Sequence, residues 1–149
     1  MPKDLFTEAT IKELKDRIGK ISPQTSPLWG KMDAAHMMTH CVEVMRNAMG
    51  EIQQKRKFLG YLVAPFLRHR YYNDILFKGK NVPSTFMVAD TEDFAQAKTA
   101  LLKRIDLFYQ SGEEACQGAV HPMLGRFTPQ QWAIGQYKHL DHHLRQFGV

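Results

Sequence analysis

Apolar residues recur at three- and four-residue intervals in four separate stretches of the chain, and this period puts one buried stripe on each of four helices. The expected fold is therefore all-α. The first stripe is Ile11, Leu14, Ile18 and Ile21, capped by Thr7 and stopped by Ser22, Pro23, Ser26 and Pro27. The second runs from about Asp33 to Met49, with Met37, Cys41, Val44 and Ala48 inward and Gly50 at the C-terminal end. The third begins at Asp90 or Thr91 and passes through Phe94, Ala97, Leu101, Ile105 and Phe108 to Gly112. The last has Thr128 as its cap, Pro129 in the first helical position and Gln131 completing a capping box, and reaches Gln146 or Phe147.

Between the second and third stripes lie about forty residues with no single period. They hold the apolar run Phe58 to Leu67, an aromatic Arg70-Tyr71-Tyr72 step and a turn-rich stretch from Lys78 to Pro83. A crossover with one extra helix is expected there, serving as a lid, a dimer surface or a pocket wall.

At 149 residues and 44% hydrophobic content, one domain over residues 1–149 is expected. The net charge of +5 is densest at Lys55-Arg56-Lys57 and Arg68-His69-Arg70, which read as solvated flanks. No nucleic-acid motif accompanies them, so no nucleic-acid partner is expected. Cys41 and Cys116 are the only cysteines, the N-terminus carries no secretory signal, and the longest apolar run is about half a membrane span. The chain is expected in the cytoplasm without a membrane partner. A peripheral rival, Phe58 to Leu67 as an interfacial helix between basic flanks, stands beside that expectation.

The seven histidines are unevenly placed: His36 and His40 in the second helix, His139, His142 and His143 in the last turns of the fourth. At about 100° per residue, positions four apart nearly superimpose, so His139 and His143 can aim at one centre. His142 turns away by about a quarter of the circumference. In the second helix His40 lies roughly 70° from the apolar stripe and His36 roughly 110°, which makes His40 the best third ligand and His36 a water-facing residue. Three neutral imidazoles with an open fourth position suit Zn²⁺ or a similar cation. A fourth bond from His36 or His121 would close the site and make it structural.

Gln136 and Gln146 share the face of His139 and His143, where an amide can orient an imidazole or bind a cofactor or substrate. Glu43 and His121 are the candidate proton acceptors. The competing readings are ordinary polar surface for the two glutamines, a solvated carboxylate for Glu43 and a loop histidine for His121. Exposed bystander is the reading for His36 and His142. Trp29 and Trp132 read as core or pocket edge, Cys41 as a small buried hydrophobe, and the eight methionines as core filler.

The stretch Pro27-Leu28-Trp29-Gly30-Lys31-Met32 with Met37-Met38-Thr39-His40, the run from His121-Pro122 through Gly125, Trp132, and the ending His139 to Gly148 together resemble the DinB-like metalloenzyme superfamily. More narrowly they resemble a branch labelled a domain of unknown function. The resemblance implies a four-helix bundle in up-down-down-up order, whose long connection between helices two and three matches the crossover. It also implies a metal held by one histidine of the second helix and two of the fourth, which here are His40, His139 and His143. Characterised relatives include thiol-dependent transferases and isomerases, and relatives are commonly dimeric. The expectation is a metal-dependent enzyme, with one Zn or Ni ion per chain, a low-molecular-weight thiol as a second cofactor, a small-molecule substrate and a homodimer. The rival readings are a metal-dependent hydrolase and a non-catalytic, stress-associated metal-binding module with a closed four-ligand shell.

Overall fold

The computed structural model describes residues 2–76 and 93–149. It is all-helical: α1 (Glu8–Gly19), α2 (Ala34–Ala48), α3 (Phe58–Tyr72), α4 (Phe94–Ser111) and α5 (Pro129–Gln146), with a 3-10 turn at Gly112–Cys116 after α4. No strand forms among the described residues; His121 and Gly125 make an isolated bridge. α2 lies against α4 and α5, α1 touches both of those helices, and α3, the extra helix of the crossover, packs on α5.

Local chemistry sets most boundaries. The Asp33 side chain accepts from the His36 amide to start α2, and Thr128 and Gln131 form the reciprocal capping box of α5 behind Pro129. Two caps differ from expectation. Thr7 does precede α1, but its hydroxyl donates to Asp4 Oδ1 at 3.2 Å and caps no helical amide. α4 is capped by Asp93, which accepts from the Ala95 and Gln96 amides; Asp90, Thr91 and the Lys78 to Pro83 turn lie outside the described residues.

The core gathers Leu14, Ile18, Met37, Met38, Cys41, Met45, Leu101, Ile105, Phe108, Trp132 and Leu140. In α2 the inward residue is Met45, while Val44 is only half-buried. Because α2 is covered by α4 and α5 together, its buried face is wider than one stripe and takes in Met38 and His40 as well.

Two buried charges tie α5 to its neighbours. Asp141 accepts from Arg17 of α1 at 3.0 Å and from Arg145 at 2.8 Å, and Arg17 also reaches the Val149 carbonyl. Lys138, 1% exposed, donates from Nζ to the Arg70 carbonyl and to Asn73 Oδ1, supplying a cation and donors where the last carbonyls of α3 lack partners. Glycines allow the close approach of α3. A Cβ on Gly60 would lie 2.4 Å from the Met123 carbonyl oxygen, and one on Gly135 would lie 1.9 Å from the Tyr71 ring.

Candidate metal centre

α2 contributes His40 and α5 contributes His139 and His143, one turn apart. His40 and His143 are buried and His139 half-buried. One ring nitrogen from each lies within 4.8 Å of the others, and the Nε2 atoms of His40 and His139 are 3.1 Å apart. Two nitrogens on a tetrahedral cation with bonds of about 2.0–2.1 Å sit about 3.3 Å apart, so the His40 and His139 pair has close to the separation that a shared ion requires.

The support of His143 is explicit. Gln146 Nε2 donates to the Trp29 carbonyl at 2.8 Å, which leaves Oε1 facing His143 Nδ1, also at 2.8 Å. An amide oxygen only accepts, so Nδ1 carries the proton and the lone pair stays on Nε2. Gly30, at φ 82°, closes this contact: a Cβ there would meet Gln146 Nε2 at 2.7 Å. The His139 Nδ1 atom is enclosed without a hydrogen-bond partner among the described residues, as is Oε1 of Gln136 one turn earlier.

Burial holds His143 down to about 3, with His40 adding to the effect and the Gln146 hydrogen bond opposing it. His139 is pushed well below the ordinary imidazole range by burial first and then by His143 and His40. Both rings are therefore neutral donors at neutral pH, the form a cation needs.

The other expected residues are distributed around this cluster. Gln146 orients a ring, as described; Gln136 is fully buried and donates to the Tyr71 hydroxyl at 2.9 Å. Glu43 pairs with Arg46 at 2.8 Å and is not in the histidine group. His36 and His142 are half-buried rather than exposed, and His142 sets its ring against Trp29 and His143. Trp132 is buried, Trp29 half-buried, and burial raises the Cys41 thiol far above its ordinary range, as befits an inert core residue.

His121 has a local task. Its Nδ1 accepts from the Met123 and Leu124 amides at 3.1 and 3.0 Å, and its ring stacks on Trp132. Burial lowers its pKa to about 4. Above the unfolded value near 6.5 neither state is charged, but as pH falls below it the unfolded chain takes a proton that the folded chain refuses. Stability is thus lost between about 6.5 and 4, by about 2 kcal/mol at about pH 5. His121→Asn keeps an acceptor for the two amides and should remove that share of the acid loss, read as urea midpoints at about pH 7 and pH 5. An unchanged loss in the variant would show that the proton is taken elsewhere.

Sequence reasoning passed over Tyr71 as a packing centre, together with Gly135, Lys138 and Asp141. Two signals were available: a glycine inside an otherwise regular helix, which marks a close approach or costs stability for nothing, and Asp141 four residues before Arg145, the spacing of a helical ion pair.

An all-helical chain that gathers three imidazoles from two helices, two of them held neutral by burial, defines a helical domain with a candidate metal centre. The chain belongs to the family described as Protein of unknown function (DUF1569), whose sequence model matches residues 7–148. No curated protein and no solved structure matches it. No helix among the described residues is long and apolar enough to cross a membrane.

Proposed function

We propose that His40, His139 and His143 hold one divalent cation, Zn²⁺ or Ni²⁺, and that the chain is a metal-dependent enzyme of the DinB-like superfamily. In this reading α1, α2, α4 and α5 are its up-down-down-up bundle. The observation that carries the reading is the convergence of three ring nitrogens within 4.8 Å. Support for an open coordination position comes from the donor set: no fourth His, Cys, Asp or Glu among the described residues joins the group, and His121 Nδ1 is already occupied by two amides. A divalent cation there supplies Lewis acidity, lowering the pKa of a bound thiol or water.

Group transfer to a low-molecular-weight thiol is the reaction to which the resemblance points, on a small-molecule electrophile and in a homodimer. Buried neutral imidazoles around the ion would exclude bulk water and keep the donors deprotonated. Elemental analysis of protein purified without a histidine tag should find one metal per chain, and His139→Ala should lose it at unchanged helical circular dichroism. Metal-free protein, or metal kept by the variant, would remove the proposal. Product analysis with electrophiles separates transfer from hydrolysis: indifference to added thiol leaves only hydrolysis. Four nitrogen ligands in metal-edge absorption would instead support a closed, non-catalytic site.

A further inference from the structure

α3 presents an apolar face that neither the core nor the histidine cluster uses. Phe58 and Phe66 are each 81% exposed, and Leu59, Tyr61 and Leu62 are between 57% and 60%. At about 100° per residue, Phe58, Leu62, Phe66 and Leu59 fall within an arc of roughly 100°. Arg70 borders that arc, whereas Arg68 lies about 80° from it, half-buried, with its guanidinium on the Arg126 carbonyl. Gly60, Ala64 and Tyr71 form the opposite, buried face.

Along the chain from Lys55 through the end of α3 the charge has one sign. No Asp or Glu occurs between Glu51 and Asp74, whereas Lys55, Arg56 and Lys57 lead into α3 and Arg70 lies in its last turn. Lys55, Lys57 and Arg70 are exposed and enter no ion pair among the described residues. Arg56 lies over the Tyr61 ring, 3.9 Å from its centre.

We propose that this face docks on an anionic lipid bilayer, with α3 lying in the headgroup plane, Phe58, Leu62 and Phe66 at the acyl boundary and the basic rim on lipid phosphates. A shortage of length argued against a membrane span in the sequence, but a helix of 15 residues needs no more to lie along a surface. Charge decides among the occupants. A second copy laid on this face would bring Lys55, Lys57 and Arg70 against their own counterparts on a helix that carries no carboxylate, and a nucleic acid would leave the leucines and phenylalanines without an apolar partner. The inference is independent of the metal.

Sedimentation of the full chain with vesicles tests it. The protein should pellet with phosphatidylcholine vesicles containing about one third phosphatidylserine, weakly with phosphatidylcholine alone, and less as salt rises. Phe58→Ser with Phe66→Ser should weaken partition about tenfold or more, and the fold should survive because both side chains are exposed. Lys55→Gln with Lys57→Gln should remove much of the salt dependence. No pelleting with the anionic vesicles at low salt, or full partition by the phenylalanine pair, overturns the proposal. So does a vesicle-free dimer that the same pair dissociates, which would give the face to a second copy. Capture of RNA that depends on the lysines but not on the phenylalanines overturns it too.

Discussion

Gly135→Ala is expected to destabilise the protein by about 3 kcal/mol, although in an ordinary helix interior the same change gains about 1 kcal/mol. The new Cβ would stand 1.9 Å from one Tyr71 ring carbon and 2.3 and 2.4 Å from two more. Tyr71 has nowhere to go: its ring stacks on Phe127 at 4.7 Å and meets Trp132 and His121 edge-on, while its hydroxyl is held by Gln136. α3 must lift from α5 or the aromatic group must repack, and either loses buried contact. A double-mutant cycle checks the cause. In a Tyr71→Ala background, Gly135→Ala should fall to near zero or become stabilising; an undiminished cost there would place the clash elsewhere.

Saturating Zn²⁺ or Ni²⁺ should stabilise the protein by about 4 kcal/mol at a thousandfold excess over Kd, raising Tm by about 10 °C. The gain follows from mass action, because the three donors converge only in the folded chain. His143→Ala should abolish it. Gln146→Leu should keep the stoichiometry and weaken binding about 10- to 100-fold, since the ring then loses the group that fixes its tautomer and orientation. Thermal scans with and without metal, beside a chelator control, read all three. An equal shift in wild type and His143→Ala would mean that the ion binds elsewhere.

What was legible in the sequence was mostly local. The capping box at Thr128 and Gln131 depends on residues three apart, and it fixed the start of α5. The placing of His139 beside His143 needed only helix arithmetic, and the two ring centres are 4.6 Å apart. His40 was reached because two histidines of one helix cannot enclose an ion and His36 pointed further from the core. The inward role given to Val44 failed: it is half-buried although it lies between Met37 and His40 on the helix wheel, and Met45 is the buried residue beside it, a difference that the periodic pattern does not carry. Beyond reach were contacts made only in three dimensions: Lys138 on the end of α3, Asp141 between Arg17 and Arg145, and the Trp29 carbonyl that sets Gln146. Apart from the Asp141–Arg145 pair, four apart on one helix, none has a spacing signature, because each joins residues whose separation the tertiary fold alone decides.

The way α3 is held has its own energetic meaning. Its fully buried residues are Gly60, Ala64 and Tyr71, with Tyr72 half-buried against the core, whereas α5 is enclosed along nearly its whole length. Detaching α3 should therefore cost less than global unfolding, and hydrogen exchange is expected to show a sub-global opening in which this one helix comes away while the histidine-bearing helices stay docked.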